Sequence, residues 1–374
     1  MRDFSREDTK VIKGVAILLM IVFHCFAFPD RIGLYDKIIT LPFEIHGDTL
    51  LMCVAKFGII CLSIYTFLSG YGMYKQYESS GTYSVAGRIL GFYKEYWKVF
   101  FIFISIAFVF FRNQECFCDT HSICNIFNDI SLEKILKDFL GITSNYNREW
   151  WFIKTYVFGL ILGNVYMRVF SKCKCFWLEF LVVCVFSIFY SVIVPNFNKT
   201  LIGAGISDNW FYQNLFTVHF SIPAMFMGVV VAKYDILSKL YKNIFNKYSS
   251  MFNIILSAFL VAVIIYIRNY SVFIGIDIII VPIFIVCILN IFKQGKVGYK
   301  ILRFVGEHST IMWLVHSFYC YYFGIVQKLL FSMRVDIIIY IVVVVISLLT
   351  SILLKQFYKI LDKYLFTRLV YKKI

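Results

Sequence analysis

Two ionisable side chains, Lys13 and His24, sit inside the apolar stretch 9–28, TKVIKGVAILLMIVFHCFAF. They are eleven residues apart, close to three turns of an α-helix, so both fall on one face about 16 Å apart along the axis. Ionisable groups within a membrane span are expensive and tend to mark function. Histidine suits a general base, because its neutral ring carries one N–H and one free lone pair. A buried lysine suits an anion. Each residue also has a plainer reading: Lys13 as a topology anchor snorkelling to the cytoplasmic surface, and His24 as a neutral ring bonded to a neighbouring helix.

Other candidate groups are scattered along the chain. Arg88 and Lys94 lie in the stretch RILGFYKEYW. With Lys13 they make a cation cluster that suits phosphate groups, and that serves equally as topogenic charge or as a contact for anionic lipid. Glu149 opens the sequence Glu149-Trp150-Trp151-Phe152. A carboxylate beside His24 would fix its tautomer and raise its basicity; the alternative is a solvated Glu149 paired with Arg148. His219 and His316 lie in later apolar stretches, where a structural hydrogen bond accounts for either. Ser69-Gly70-Tyr71-Gly72 offers either a loosened helix or a notch for close helix contact.

The elements that must position these residues are membrane helices. The chain has 374 residues, 60% hydrophobic and only 16% charged, whereas soluble domains are nearer a quarter charged. Apolar runs long enough to cross a bilayer recur from end to end. The pattern predicts an all-α polytopic membrane bundle of about ten transmembrane helices, near 11–28, 50–74, 96–112, 150–170, 176–194, 214–231, 251–267, 271–292, 308–330 and 336–354. Lys and Arg in the loops on the N-terminal side of this arrangement outnumber those on the other side by roughly three to one, which predicts both termini in the cytoplasm. One domain, 1–374, with a short cytoplasmic tail from about 355, is expected in the cell membrane. On this topology Lys13 lies at the cytoplasmic end of the first helix and His24 towards the outer half.

The net charge of +15 would point to nucleic acid in a soluble protein; cytoplasmic loops explain it here, so membrane lipid is the expected partner and nucleic acid is not. The 11 cysteines show no metal-ligand spacing and no metal is expected. Cys116, Cys118 and Cys124 fall in the long loop 113–149, where three cysteines assign no disulfide. The same loop holds an amphipathic segment, SLEKILKDFL, with Ser131 at its N-cap position, expected to lie on the outer membrane surface or to cap the bundle as a lid. No Walker loop, HExxH, GxSxG or dinucleotide fingerprint is present.

Three stretches carry a family resemblance. Lys13-x10-His24 resembles the Arg/Lys-x10-His signature of the acyltransferase family 3 membrane proteins. Phe67-Leu68-Ser69-Gly70-Tyr71 is similar to that family's F-x-SG-aromatic segment. Phe304 to Ser309, followed by Trp313-Leu314-Val315-His316, resembles its late segment. The resemblance covers nearly the whole chain. It implies an O-acyltransferase, most simply an O-acetyltransferase, that takes an acyl group from acetyl-CoA or another acyl-CoA and gives it to a carbohydrate acceptor at the cell envelope. It places His24 and Glu149 as catalytic, and Lys13, Arg88, Lys94 and Ser69 around the coenzyme. Trp150, Trp151 and His316 fall towards the acceptor. The family's R-x-x-R pair is incomplete here, since Gly91 stands where the second arginine would be. A transporter or flippase, or a silent membrane component of polysaccharide assembly, is the alternative from another class.

Overall fold

The computed structural model describes residues 4–32, 38–40, 43–119, 122–194, 196, 221–245, 249–271 and 274–371, and among these the chain is overwhelmingly helical. His219 lies outside the described residues, as do the side chains of Cys116, Cys118 and Cys124.

The first helix, α1 (Arg6–Phe26), starts five residues before the expected span because of a reciprocal cap. Ser5 Oγ accepts from the Asp8 backbone N–H, and the Asp8 carboxylate accepts from the Ser5 N–H. Asp8 also accepts from Lys293 Nζ and Tyr299 Oη, both at 2.9 Å, which ties the start of α1 to the far end of the sequence. A short two-stranded hairpin, β1 (Glu44–Ile45) and β2 (Asp48–Thr49), precedes α2 (Leu50–Phe57) and α3 (Ile60–Ser80). Next come α4 (Val85–Phe110), a second hairpin of β3 (Cys116–Asp119) and β4 (Ser122–Cys124), α5 (Leu132–Phe139), α6 (Phe152–Val169) and α7 (Phe176–Ile188). The remainder is α8 (Ile222–Lys233), α9 (Ile236–Phe245), α10 (Ser250–Tyr270), α11 (Asp277–Gln294), α12 (Lys296–Ser317), α13 (Gly324–Phe331) and α14 (Asp336–Tyr371).

Six of the described helical stretches are long and apolar enough to cross a membrane: Arg6–Phe26, Leu50–Ser80, Phe176–Ile193, Ser250–Tyr270, Asp277–Gln294 and Asp336–Lys363. The expected spans at 96–112, 150–170 and 308–330 fall on α4, on α6 and on α12 with its continuation. The last of these is not one helix. α12 begins at Lys296, in the stretch expected to be a loop, and breaks into a wide π turn at Phe318–Tyr322 before α13. The tail expected from about 355 is helical as a continuation of α14.

α1 and α12 run parallel and form the central pair. Glu7 meets Arg303 and Lys10 meets Glu307 at one end, each at 3.0 Å, and His24 meets His316 at the other. Two glycines let their backbones touch. A Cβ on Gly14 would lie 2.1 Å from the Leu302 carbonyl oxygen, and one on Gly306 would lie 1.8 Å from the Lys10 carbonyl oxygen. Neither position admits a larger residue without moving the helices apart. α3 packs on α8 in the same way through Gly70, whose Cβ would fall 1.9 Å from the Met225 carbonyl oxygen. The SerGly step therefore serves as a packing notch, and α3 continues unbroken through it to Ser80.

The segment expected on the membrane surface or over the bundle forms α5, whose end packs against α4. Tyr93 Oη, Tyr96 Oη and Trp97 Nε1 on α4 donate to the carbonyls of Leu140, Asp138 and Phe139, groups that a helix end otherwise leaves unpaired. Leu132, Leu136 and Leu140 stay exposed along its other side. Ser131 holds the N-cap position, but its side chain makes no cap hydrogen bond. The Asp138 carboxylate, fully buried, accepts from Thr143 Oγ1 and from the backbone N–H groups of Asn145 and Tyr146. This turn feeds the chain into the bundle, where Asn147 Nδ2 donates to Ser317 Oγ at 2.8 Å, and so delivers Glu149 to the interior.

Candidate active site

Six of the nine sequence-derived site residues line one or the other of two adjoining cavities. The first, of about 70 Å³, is lined by Lys13, Tyr65, Ser69, Arg88, Phe92, Tyr156, Ser309 and Thr310. The second, of about 230 Å³, is lined by Phe23, His24, Phe28, Arg31, Ile59, Cys61, Leu62, Glu149 and Trp151. Met20, Phe152 and Trp313 line both and make the neck between them. Met20 stands seven residues after Lys13 and four before His24, so one stripe of α1 runs from the cation to the imidazole past the neck.

In the first cavity Lys13 is half-buried, and Arg88 enters from the exposed side of α4 to line it together with Tyr156. Ser69 Oγ donates to the Tyr65 carbonyl at 2.9 Å and lies 3.4 Å from Tyr156 Oη. Lys94 is exposed and does not line the cavity. The reason is that α4 begins at Val85 and already carries both residues. Six residues of helix turn through about 600°, so Arg88 and Lys94 leave the axis about 120° apart.

In the second cavity the imidazole of His24 is oriented by another histidine. His24 Nδ1 lies 2.7 Å from His316 Nε2, and His316 Nδ1 lies 2.7 Å from the Trp313 carbonyl oxygen and 3.2 Å from that of Met312. A carbonyl can only accept, so His316 Nδ1 carries the proton. With both rings neutral, His316 Nε2 then accepts, and His24 Nδ1 must donate to it. The lone pair of His24 is thereby placed on Nε2, the ring atom left for the cavity. Tyr321 Oη donates to the His24 carbonyl oxygen and holds the backbone of the same residue.

Glu149 is not the partner of His24, nor is it solvated beside Arg148. It is buried, and it accepts from Arg31 Nη1 at 2.9 Å and from Tyr322 Oη. Its carboxylate is consumed by these two donors, so it borders the cavity without reaching the imidazole. Trp150 also departs from expectation. It is 1% exposed, packs edge-on against Tyr96 at 5.0 Å and donates from Nε1 to the Leu314 carbonyl at 3.1 Å. Its work is structural. Trp151, the next residue, is the one that lines the cavity. His316 is fully buried and acts on His24, away from the cavity lining.

Residues 8–355 match the acyltransferase domain that defines acyltransferase family 3. The chain belongs to that family. No curated protein and no solved structure matches it. It is a membrane acyltransferase, and the alternative of a transporter or flippase is not favoured. In this acyltransferase Lys13 lines the first cavity, His24 the second, and Met20 between them lines both.

Sequence reasoning missed Arg31, Tyr156, Tyr321 and Tyr322 as members of the site. Arg31 follows Pro29 in a single helical turn just beyond α1, a place where a basic residue reads as loop charge. The two tyrosines are brought inward by the π turn, which has no sequence signature beyond the aromatic run Phe318–Phe323. Wide turns of this kind occur often at functional sites.

Proposed function

We propose that this membrane acyltransferase is an acyl-CoA-dependent O-acyltransferase, most simply an O-acetyltransferase, with a sugar hydroxyl of a cell-surface polysaccharide, lipid-linked glycan or peptidoglycan as acceptor. The observation that carries this reading is the pair of adjoining cavities, cations in one and an oriented histidine base in the other. Lys13 and Arg88 are suited to the phosphates of coenzyme A, because charge-assisted hydrogen bonds from Lys and Arg to phosphate are strong. The acyl-pantetheine arm would pass Met20, Phe152 and Trp313. The excess of Lys and Arg in the loops on the Lys13 side supports entry of the donor from the cytoplasm.

At the neck the thioester carbonyl meets the second cavity. His24 Nε2 accepts the proton of the acceptor hydroxyl as its oxygen bonds to the carbonyl carbon. The C–S bond then breaks and coenzyme A leaves as the thiol, taking the proton from His24 Nε2–H. Glu149, rather than acting on His24, holds Arg31, and Trp151 faces the acceptor. An acyl-histidine intermediate would use the same atom.

The test uses the purified protein in nanodiscs with radiolabelled acetyl-CoA and a surface-glycan fraction. Release of coenzyme A with label appearing in the glycan supports the reading. Failure to bind or turn over acetyl-CoA or any longer acyl-CoA overturns it.

A further inference from the structure

Arg31 is the one cation among the described residues that line the His24 cavity. It is 9% exposed, and its position is fixed from several sides. Nη1 donates to Glu149 Oε1 at 2.9 Å, and the guanidinium carbon stands 3.6 Å from the centre of the Tyr321 ring. The Arg31 carbonyl accepts from Gln327 Nε2 at 3.1 Å. Yet Nε and Nη2, both buried, have no acceptor among the described residues. A guanidinium stays charged, and buried N–H donors without partners are costly. The site therefore holds a cation rigidly while leaving part of its donor capacity unused.

Acyl transfer supplies what that capacity lacks. As the acceptor oxygen bonds to the thioester carbon, the carbonyl π pair moves onto oxygen and a negative charge appears beside His24. Among the described lining residues Arg31 is the charged donor, whereas Glu149 is an anion that would repel the new charge. We propose that Arg31 is the oxyanion-binding catalytic residue, donating from its guanidinium to the tetrahedral intermediate that forms opposite His24 Nε2. When the intermediate collapses, the pair returns to the carbonyl, the C–S bond breaks, and the thiolate takes the proton from His24. Glu149 and Tyr321 are then positioning residues for the guanidinium, which explains why the carboxylate is turned away from the imidazole. This inference rests on the acyl-transfer reading above.

The test compares Arg31→Ala, Arg31→Lys and the double variant Arg31→Met/Glu149→Gln in nanodiscs, with acetyl-CoA as donor and the glycan fraction as acceptor. The double variant removes both buried charges together and so avoids stranding Glu149. Expected is a fall in kcat of about 10²- to 10³-fold in all three, the range for loss of one oxyanion donor. KM for acetyl-CoA should change less than about threefold. Added guanidinium ion should restore part of the Arg31→Ala rate in a saturable way, and restore none in His24→Ala. A folded double variant with wild-type kcat overturns the proposal. So does a loss confined to KM for the acceptor, which would make Arg31 an anchor for acceptor charge. Wild type that transfers no acyl group would fail the underlying reading first, and is told apart by its indifference to every substitution.

Discussion

His24 and His316, 292 residues apart in sequence, are joined by a 2.7 Å contact between Nδ1 of the first and Nε2 of the second. The direction of that hydrogen bond is set at its far end, where His316 Nδ1 faces the Trp313 carbonyl. A backbone carbonyl, a buried ring and a half-buried ring thus form a chain whose last member presents a lone pair to the cavity. His316→Ala is expected to lower kcat by on the order of 10²-fold, at the low end of what general base catalysis contributes, with KM for the donor little changed. His316→Gln keeps an acceptor for His24 Nδ1–H and should recover most of the loss. Steady-state kinetics on both variants check this; equal loss in both would assign His316 to packing alone.

The cations are expected to separate by position. Arg88→Ala and Lys13→Met should each raise KM for acetyl-CoA by about tenfold, the scale of one charge-assisted hydrogen bond, with a smaller change in kcat. Lys94→Ala, which lines neither cavity, should leave both constants within experimental scatter. Isothermal titration with coenzyme A alone reads the same order of effects without turnover. A Lys94 effect as large as that of Arg88 would contradict the cavity assignment.

Gly14 and Gly306 set the spacing of the helices that carry the two histidines. Each lies ten residues before its histidine, Gly14 before His24 and Gly306 before His316. Gly306→Ala would drive a Cβ into the Lys10 carbonyl and push α1 from α12. The expected result is loss of thermal stability in detergent together with a fall in kcat. Gly72→Ala, where an added Cβ meets nothing within 4 Å, should be silent in both assays. Matching melting curves for Gly306→Ala and wild type would show that the contact yields.

The sequence made one part of this site legible and hid another, for reasons that differ by residue. Lys13, Met20 and His24 share one helix, so helical period alone aligned them. Arg88 was found as a charge, but the expected start of its helix at 96 concealed the angle between it and Lys94; the helix begins at Val85 because Ser84 caps it. Local sequence offers Glu149 only Arg148 beside it or His24 at matching depth, whereas its partner Arg31 is 118 residues away. Such pairings follow from how α1, the π turn and the segment after α5 converge, and no local pattern reports them. Trp150 and Trp151 look alike in sequence. Only the turn at Asn147–Trp151 decides that the first packs against α4 and the second faces the cavity.

The most direct measurement is single-turnover transfer by His24→Ala in nanodiscs, with binding of acetyl-CoA followed in the same preparation. The account predicts binding within about threefold of wild type and transfer reduced by about 10²-fold or more, because the general base is gone while the cation cavity is intact. A folded His24→Ala that transfers label at the wild-type rate would contradict it.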